Sequence, residues 1–239
     1  MKSKSIIVCI LTIFIGTHLT AQQVKLSSDT TTKSFDFSDY SKLDVASDFN
    51  VNLTLAAGEE AITVKANSNL MDYVAVYKEG NTLFLRLKKN TWFRGRMILD
   101  VDISTAMITD FAASSDAIIT LNTPLTTDTV RIDCKGDAIF KGTVTANNLS
   151  INGKSDAKIT LSGAANTMTM NLKSDSEFVN KEFTVQNLTV TLSGDSKATL
   201  TVTDMLDATA SGDSELRYAG NPSKVRQSSR GDSDIKAIK

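Results

Sequence analysis

A three-residue motif centred on aspartate recurs seven times in the second half of this chain. Its first residue is Ser or Gly and its third is Ser or Ala. The seven aspartates are Asp116, Asp137, Asp156, Asp175, Asp195, Asp213 and Asp232. Subtracting consecutive numbers gives intervals of 21, 19, 19, 20, 18 and 19 residues. Such a repeat is typical of proteins that stack similar units along one axis, because each unit buries its apolar side against its neighbours. The motif therefore predicts a solenoid.

The residues around each aspartate indicate which kind of solenoid this is. The third residue after every aspartate is apolar: Ile119, Phe140, Ile159, Phe178, Ala198, Leu216 and Ile235. Before the aspartates, apolar and polar residues alternate, as at Val130, Ile132 and Cys134. Alternation with period two is typical of a strand with one buried face, and the abundance of Thr, Val, Ile and Gly disfavours helix. We predict an all-β protein in which residues 105–239 form a parallel β-helix of about 19-residue coils.

The stacked aspartates have two interpretations. They are either a ladder of cation ligands, as in the calcium-binding nonapeptide β-rolls, or turn residues, because Gly tolerates positive φ and Asp and Ser side chains bond to nearby backbone in turns. Basic residues stand two positions before four of the aspartates, at Lys135, Lys154, Lys173 and Arg230, where they would offset the charge without a metal. The nine-residue glycine-rich period of the calcium rolls is missing. We predict a scaffold role, with neither metal nor cofactor.

A second column, two residues after the aspartates, alternates in charge through four consecutive coils. Its members are Lys158, Glu177, Lys197 and Glu215. Alternating signs at one stacked position favour exposed pairing between neighbouring strands, and they argue against a shared ligand of a single charge.

The first hundred residues have strand patterns without the regular period. Apolar alternation recurs, for example over 49–55, 83–87 and 97–103, and Glu79-Gly80-Asn81 is typical of a hairpin turn. Asp48 is expected to be out of register with the later aspartates. We predict a mixed β section over 35–104 that caps the solenoid, and a polar, flexible leader over 22–34. Since no Pro- or Gly-rich linker follows, residues 35–239 are expected to form one domain.

Residues 1–21 have the features of a cleaved secretory signal, with Lys2 and Lys4 before an apolar run too short to span a bilayer. Cleavage before Gln22 would remove the only histidine, His18, and leave Cys134, which we expect to be a buried thiol. The remainder would carry 24 basic residues (26 minus two) against 27 acidic ones, a balance that disfavours nucleic acid as a partner. Because of the signal at residues 1–21, the chain is expected in the periplasm, at the outer-membrane periphery or outside the cell, with no transmembrane segment.

The segment Thr91–Arg96 is the main candidate for a binding surface. It contains the only tryptophan, and the candidate contact residues are Trp92, Phe93, Arg94 and Arg96. Aromatic and arginine side chains in exposed loops are enriched in binding surfaces. The alternative is that Trp92 and Phe93 fold over the end of the β-helix and cap its core.

Several stretches of this sequence resemble the head GIN domain family. They are Ala-Ser-Asp-Phe-Asn-Val-Asn-Leu at 46–53, Asn-Thr-Leu-Phe-Leu-Arg-Leu at 81–87, and the repeated Ser-Gly-Asp-Ser coils behind a signal peptide. The family is described as autotransporter adhesins and is common in Bacteroidetes. The resemblance extends from about Leu43 to the C-terminus, and it implies an exported β-helix-like protein with no established catalytic residues.

Three functions remain to be weighed. An adhesin or envelope binding module, with a glycan or a surface protein as its partner, fits the resemblance. A structural or envelope-stress protein is the alternative. A polysaccharide-active β-helix enzyme would need clustered carboxylates, whereas here the carboxylates are spread evenly and the usual His and Cys nucleophile sets are missing. We expect a protein without catalytic residues.

Overall fold

A computed structural model describes residues 22–58, 60–88 and 91–239. In the N-terminal part the strands are β1 Gln22–Lys25, β2 Thr30–Phe35, β3 Lys42–Ala46, β4 Asn50–Leu55, β5 Ala61–Asn67, β6 Val74–Glu79, β7 Thr82–Leu87, β8 Thr91–Arg94 and β9 Leu99–Thr105. They are followed by β10 Asp110–Ser114, β11 Ile118–Leu121, β12 Leu125–Lys135, β13 Ile139–Lys154, β14 Lys158–Lys173, β15 Glu177–Gly194, β16 Lys197–Gly212, β17 Glu215–Ala219, β18 Lys224–Arg230 and β19 Asp234–Ala237. A 3₁₀ turn, Met71–Tyr73, precedes β6. Across residues 22–58, 60–88 and 91–239, no helix is long and apolar enough to span a bilayer.

The second half is the parallel β-helix that the repeat predicts. From β10 onwards every strand pairs in parallel with the equivalent strand of the next coil. The pairing of Ile151 with Met170 shows the register, because these residues are 19 apart and lie side by side. Each of β13 to β16 runs from one aspartate turn almost to the next, so one long strand wraps a whole coil. The predicted coil length is confirmed.

The aspartates lie at a turn that has the same geometry in every coil. The residue before each aspartate has a positive φ, from 59° to 77°, and it is Ser115, Gly136, Ser155, Ser174, Gly194, Gly212 or Gly231. The pairs on both sides of the turn are aligned, for example Lys154 with Lys173 and Lys158 with Glu177, so the seven aspartates stack on one edge. All seven are exposed. Turn chemistry therefore explains the first two residues of the motif.

The third residue of the motif points into the core. In the first six coils it is fully buried, as Ala117, Ala138, Ala157, Ser176, Ser196 and Ser214. A small side chain fits because the turn brings it against the interior, and the serine hydroxyls bond to backbone: Ser176 Oγ donates to the carbonyl of Lys173 at 2.9 Å. The apolar residues two positions further on are buried in six coils, and Ile235 in the last coil is half-buried. This confirms the predicted inward column.

The repeat begins earlier than its spacing indicates. Strands β3 and β4 pair in parallel with β10 and β11, with Ala46 beside Ser114 and Asn50 beside Ile118. This register places Asp48 next to Asp116, and Ser47 has a positive φ of 79°, close to those of its later equivalents. The expectation that Asp48 is out of register is therefore wrong. A separation of 68 positions between the two aspartates hides the relation, because the chain leaves the stack through β5–β9 before it returns.

The strands of that excursion form the mixed section at the N-terminal end. β7 and β9 extend the stack in parallel beyond β3 and β4, β5 is antiparallel to β9, and β6 forms a hairpin with β7 around Gly80. β2 pairs antiparallel with β5, and β1 pairs parallel with β8. The expected flexible leader at 22–34 is thus corrected: it holds β1 and most of β2, since exposed Thr-rich residues can still pair their backbone with an open sheet edge.

Candidate functional site

The segment around Trp92 is held in a small two-stranded sheet. β8 pairs in parallel with β1, with Gln23 opposite Trp92 and Lys25 opposite Arg94. The amide of Leu26 donates to the carbonyl of Arg94 at 2.9 Å, which continues the ribbon by one bond. This ribbon is separate from the 17-stranded sheet that contains the solenoid.

The two aromatic residues of β8 point in opposite directions. Phe93 packs against the core and meets the Tyr73 ring edge-on, with centroids 5.3 Å apart. Trp92 is 71% exposed. Successive residues of a strand alternate between its two faces, so Phe93 faces the core while Trp92 projects from the opposite face.

The exposed side of the ribbon is aromatic and basic. It carries Gln23, Lys25, Trp92 and Arg94, which we call the Trp92 face, and all but Phe93 of the predicted contact residues are exposed. Arg96 lies just beyond the strand, where its carbonyl accepts a hydrogen bond from Asn67 Nδ2 at 3.2 Å. The face therefore presents two cations beside a large ring, with no carboxylate in the paired segment.

The aspartate ladder is a row of like charges in water. Desolvation raises the pKa of Asp175, and the charges of Asp195 and Asp156 on either side raise it further. Among the described residues, no ion pair joins Lys135 or its stacked equivalents to a ladder aspartate, so the expected offset is not made by direct contact. Nor do the described residues contain a group of three or more potential ligands placed to hold a metal. The ladder remains a scaffold in our interpretation.

The alternating-charge column is stacked as expected. Lys158, Glu177, Lys197 and Glu215 are neighbours in successive coils. In the part of the chain that the structure describes, none of the three neighbouring pairs is a close ion pair. Glu215 instead accepts from Arg217 on its own strand at 2.7 Å. The column is a solvated surface.

Cys134 is a core residue and not a nucleophile. Its side chain is 3% exposed and makes no disulfide. Burial, with a smaller contribution from Asp133, raises the pKa of the thiol to about 12. The thiol is therefore protonated near neutrality, and the prediction of a buried thiol is confirmed.

A charged groove that the sequence did not indicate lies on the outer face of the strands before the aspartate turns. It has a volume of about 610 Å³, and its walls carry Arg86, Arg131, Lys135 and Lys154 with Asp44 and Asp133. We call it the Ala112 groove, because Ala112 lies between Asp44 and Asp133 in the sheet. These residues come from strands far apart in sequence. The one local signal is that Arg131, Asp133 and Lys135 alternate with buried residues and so share the outer face.

Comparison with known proteins supports the family resemblance. Residues 39–222 match the family model described as "Putative auto-transporter adhesin, head GIN domain". A putative adhesin from Bacteroides fragilis NCTC 9343 superposes with a TM-score of 0.85 at 21% identity, over 90% of this chain and 100% of that one. A putative adhesin from Parabacteroides merdae ATCC 43184 gives 0.74 at 19%, over 92% and 100%. A putative lipid binding protein from Parabacteroides distasonis ATCC 8503 gives 0.72 at 17%, over 91% and 100%. No curated protein matches this chain in sequence.

Proposed function

Because this chain belongs to the head GIN domain family, we propose that it is an exported, non-catalytic module that binds a glycan or a surface protein at the cell envelope. The observation that carries the proposal is the Trp92 face. Export depends on the signal at residues 1–21, which lie outside the described residues.

Its exposure sets Trp92 apart from the other large hydrophobic side chains of the described residues. Five large hydrophobic side chains are exposed in the described ranges, and Trp92, at 71%, exceeds the next, Val179 at 49%. Trp and Arg are the residues most enriched at energetic centres of interfaces. Pairing with β1 holds the strand in place before binding, which reduces the ordering cost of association. The ribbon therefore has the composition and the rigidity of a contact site.

The chemistry of the described residues supports a non-catalytic role. The single histidine of the chain, His18, is in the predicted signal. Cys134 is buried and protonated, and the ladder carboxylates are exposed and evenly spaced along the rod. General acid–base catalysis needs groups whose pKa values are set apart at one concave site.

The experiment is a binding screen with the protein beginning at Gln22. A glycan array and intact cells are probed with the native chain, with Trp92→Ala, and with Val225→Ala, which removes a side chain that is 47% exposed at the other end of the solenoid. We expect Trp92→Ala to weaken binding at least tenfold without changing the melting temperature, and Val225→Ala to bind normally.

Two results would contradict the proposal. One is a native protein that binds nothing on the array or on cells. The other is a Trp92→Ala variant that binds as well as the native chain does.

A further inference from the structure

The Ala112 groove arises where one column of the outer sheet face lacks a side chain. Along this column the neighbours in successive strands are Phe84, Asp44, Ala112, Asp133 and Asn152. Alanine at the third position leaves open the space between the two aspartates. The long side chains of Arg86, Arg131, Lys135 and Lys154 surround that space. The result is a depression in an otherwise continuous β surface.

Both carboxylates in the groove already have partners. Asp44 Oδ2 is 2.8 Å from Arg86 Nη2, while Arg86 Nη1 donates to the carbonyl of Asp44 at 2.7 Å and is thereby fixed. Asp133 Oδ2 accepts from Arg131 Nε at 2.6 Å, and its Oδ1 accepts from Asn152 Nδ2 at 2.6 Å. The acidic groups are thus used to position the arginines, and they offer little to a cation.

The hydrogen-bonding groups that remain available in the groove are donors. Four cations and two carboxylates line it, which leaves a net charge of +2. Arg131 uses only its Nε in the contacts of the described residues, so both terminal nitrogens are available as a fork for two anionic oxygens. Lys135 and Lys154 are stacked beside it and form no ion pair in the ranges that the structure covers. This arrangement selects an anion.

An aromatic platform stands at the end of the same column. The rings of Tyr77 and Phe84 are stacked, with centroids 5.0 Å apart and planes at 14°, and Tyr77 is 37% exposed. A second groove of about 270 Å³ shares Asp44, Ala112, Arg131 and Asp133 with the first, contains the Lys42–Asp110 ion pair and reaches Phe84. Four strand spacings of about 4.8 Å separate Tyr77 from Asp133, so the exposed ring and the cations are roughly 19 Å apart along the rod.

We propose that the Ala112 groove binds an acidic oligosaccharide. A carboxylate or sulfate of one sugar would accept hydrogen bonds from Arg131, Lys135 and Lys154. A sugar further along the chain would place its apolar face against the exposed ring of Tyr77, because the guanidinium of Arg86 already lies over the ring of Phe84, 5.1 Å from its centroid. The site is separate from the Trp92 face, and the inference does not depend on that surface.

The test is calorimetric titration with three oligosaccharides of equal length: an oligogalacturonate, a sulfated chondroitin fragment and a neutral galactan. Ala112→Leu fills the groove without changing its charge, and Lys135→Gln with Lys154→Gln removes two cations. The matched control is Lys158→Gln with Lys197→Gln, which removes the same charge from exposed positions outside the groove. Circular dichroism and melting temperatures verify that each variant is folded.

We expect one or both acidic chains to bind and the neutral chain to bind at least tenfold more weakly. Ala112→Leu and the groove lysine pair should each weaken binding at least tenfold, whereas the control pair and Trp92→Ala should leave it unchanged. Equal binding of the neutral chain, unchanged affinity of Ala112→Leu, or an equal loss in the control pair would overturn the proposal. Loss confined to Trp92→Ala would overturn it too while leaving the proposed adhesin-type function intact.

Discussion

The inward column can be tested at Ile159, which lies in the middle of the β-helix. Its side chain is 1% exposed and is stacked between Phe140 of the preceding coil and Phe178 of the following one. Truncation of a buried isoleucine to alanine costs about 2–5 kcal/mol, more where the cavity cannot collapse. Because backbone ladders on both sides hold the two phenylalanines at the strand spacing, we expect Ile159→Ala to destabilise the fold by about 4 kcal/mol.

Ile159→Asp should cost more than the alanine variant. It removes the same apolar contacts and also buries a carboxylate without a partner, which adds several kcal/mol and exceeds the usual range of about 0.5–3 kcal/mol for point substitutions. The matched control is Lys158→Ala, the adjacent residue on the exposed face, which should change the free energy of unfolding by less than about 1 kcal/mol.

The measurement is urea unfolding followed by far-ultraviolet circular dichroism, combined with amide hydrogen exchange. Exchange is needed because coils of a solenoid interact mainly with their neighbours, so that a local break can open part of the stack. Similar losses in Ile159→Asp and Lys158→Ala would refute the assignment of inner and outer faces. An Ile159→Ala variant within about 1 kcal/mol of the native chain would refute the argument that the column carries the stability.

Three further outcomes are expected. The raised pKa of Asp175 means that its ionised form destabilises the folded state at neutral pH, and that this destabilisation disappears as the pH falls through the folded pKa. Asp175→Asn should therefore raise the melting temperature at pH 7 and lose that advantage in acid. A gain in melting temperature that does not change with pH would contradict this explanation. If the ladder is a scaffold, melting in EDTA and in millimolar calcium should give the same midpoint. A bound calcium ion, at a hundredfold excess over its dissociation constant, would instead add about 2.7 kcal/mol and raise the midpoint by several degrees. With a thiol pKa of about 12, Cys134 should react with iodoacetamide at pH 8 only under unfolding conditions, and fast labelling of the folded chain would contradict its burial.

The parts of the fold that could be predicted are those where a local pattern determines the structure. The turn residues, the alternation before them and the apolar position three after the aspartate occur within a few residues of one another. Asp48 shows the limit. Its turn is chemically like the others, yet its place in the stack depends on pairing with β10 and β11, and the long excursion through β5–β9 conceals that pairing. Register across such a distance is a tertiary property.

Polar composition misled the interpretation of the leader for a related reason. The side chains of Thr30–Phe35 are exposed or half-buried, so no apolar pattern indicates a strand, but the backbone pairs with β5 along its whole length. The strand β2 forms because its backbone pairs with the open edge of β5, and not because its own side chains are buried. At the candidate contact residues, too, tertiary packing decides which side chain is buried. Periodicity places Trp92 and Phe93 on opposite faces, but only the position of Tyr73 decides which ring is covered.

The positions that repeat and the positions that break the repeat have different uses in this molecule. A residue type that recurs in every coil, such as the ladder aspartate, meets a requirement shared by all coils, namely the turn, and therefore says little about a ligand. Ala112 and Trp92 are departures: the first leaves a gap in a column of larger side chains, and the second is on a ribbon outside the 17-stranded sheet. Both are in the N-terminal half, where the regular stack ends and the excursion strands supply Arg86, Phe84 and β8. In a scaffold whose coils are nearly interchangeable, specificity for a partner has to come from such departures, so substitutions there should change binding before they change stability.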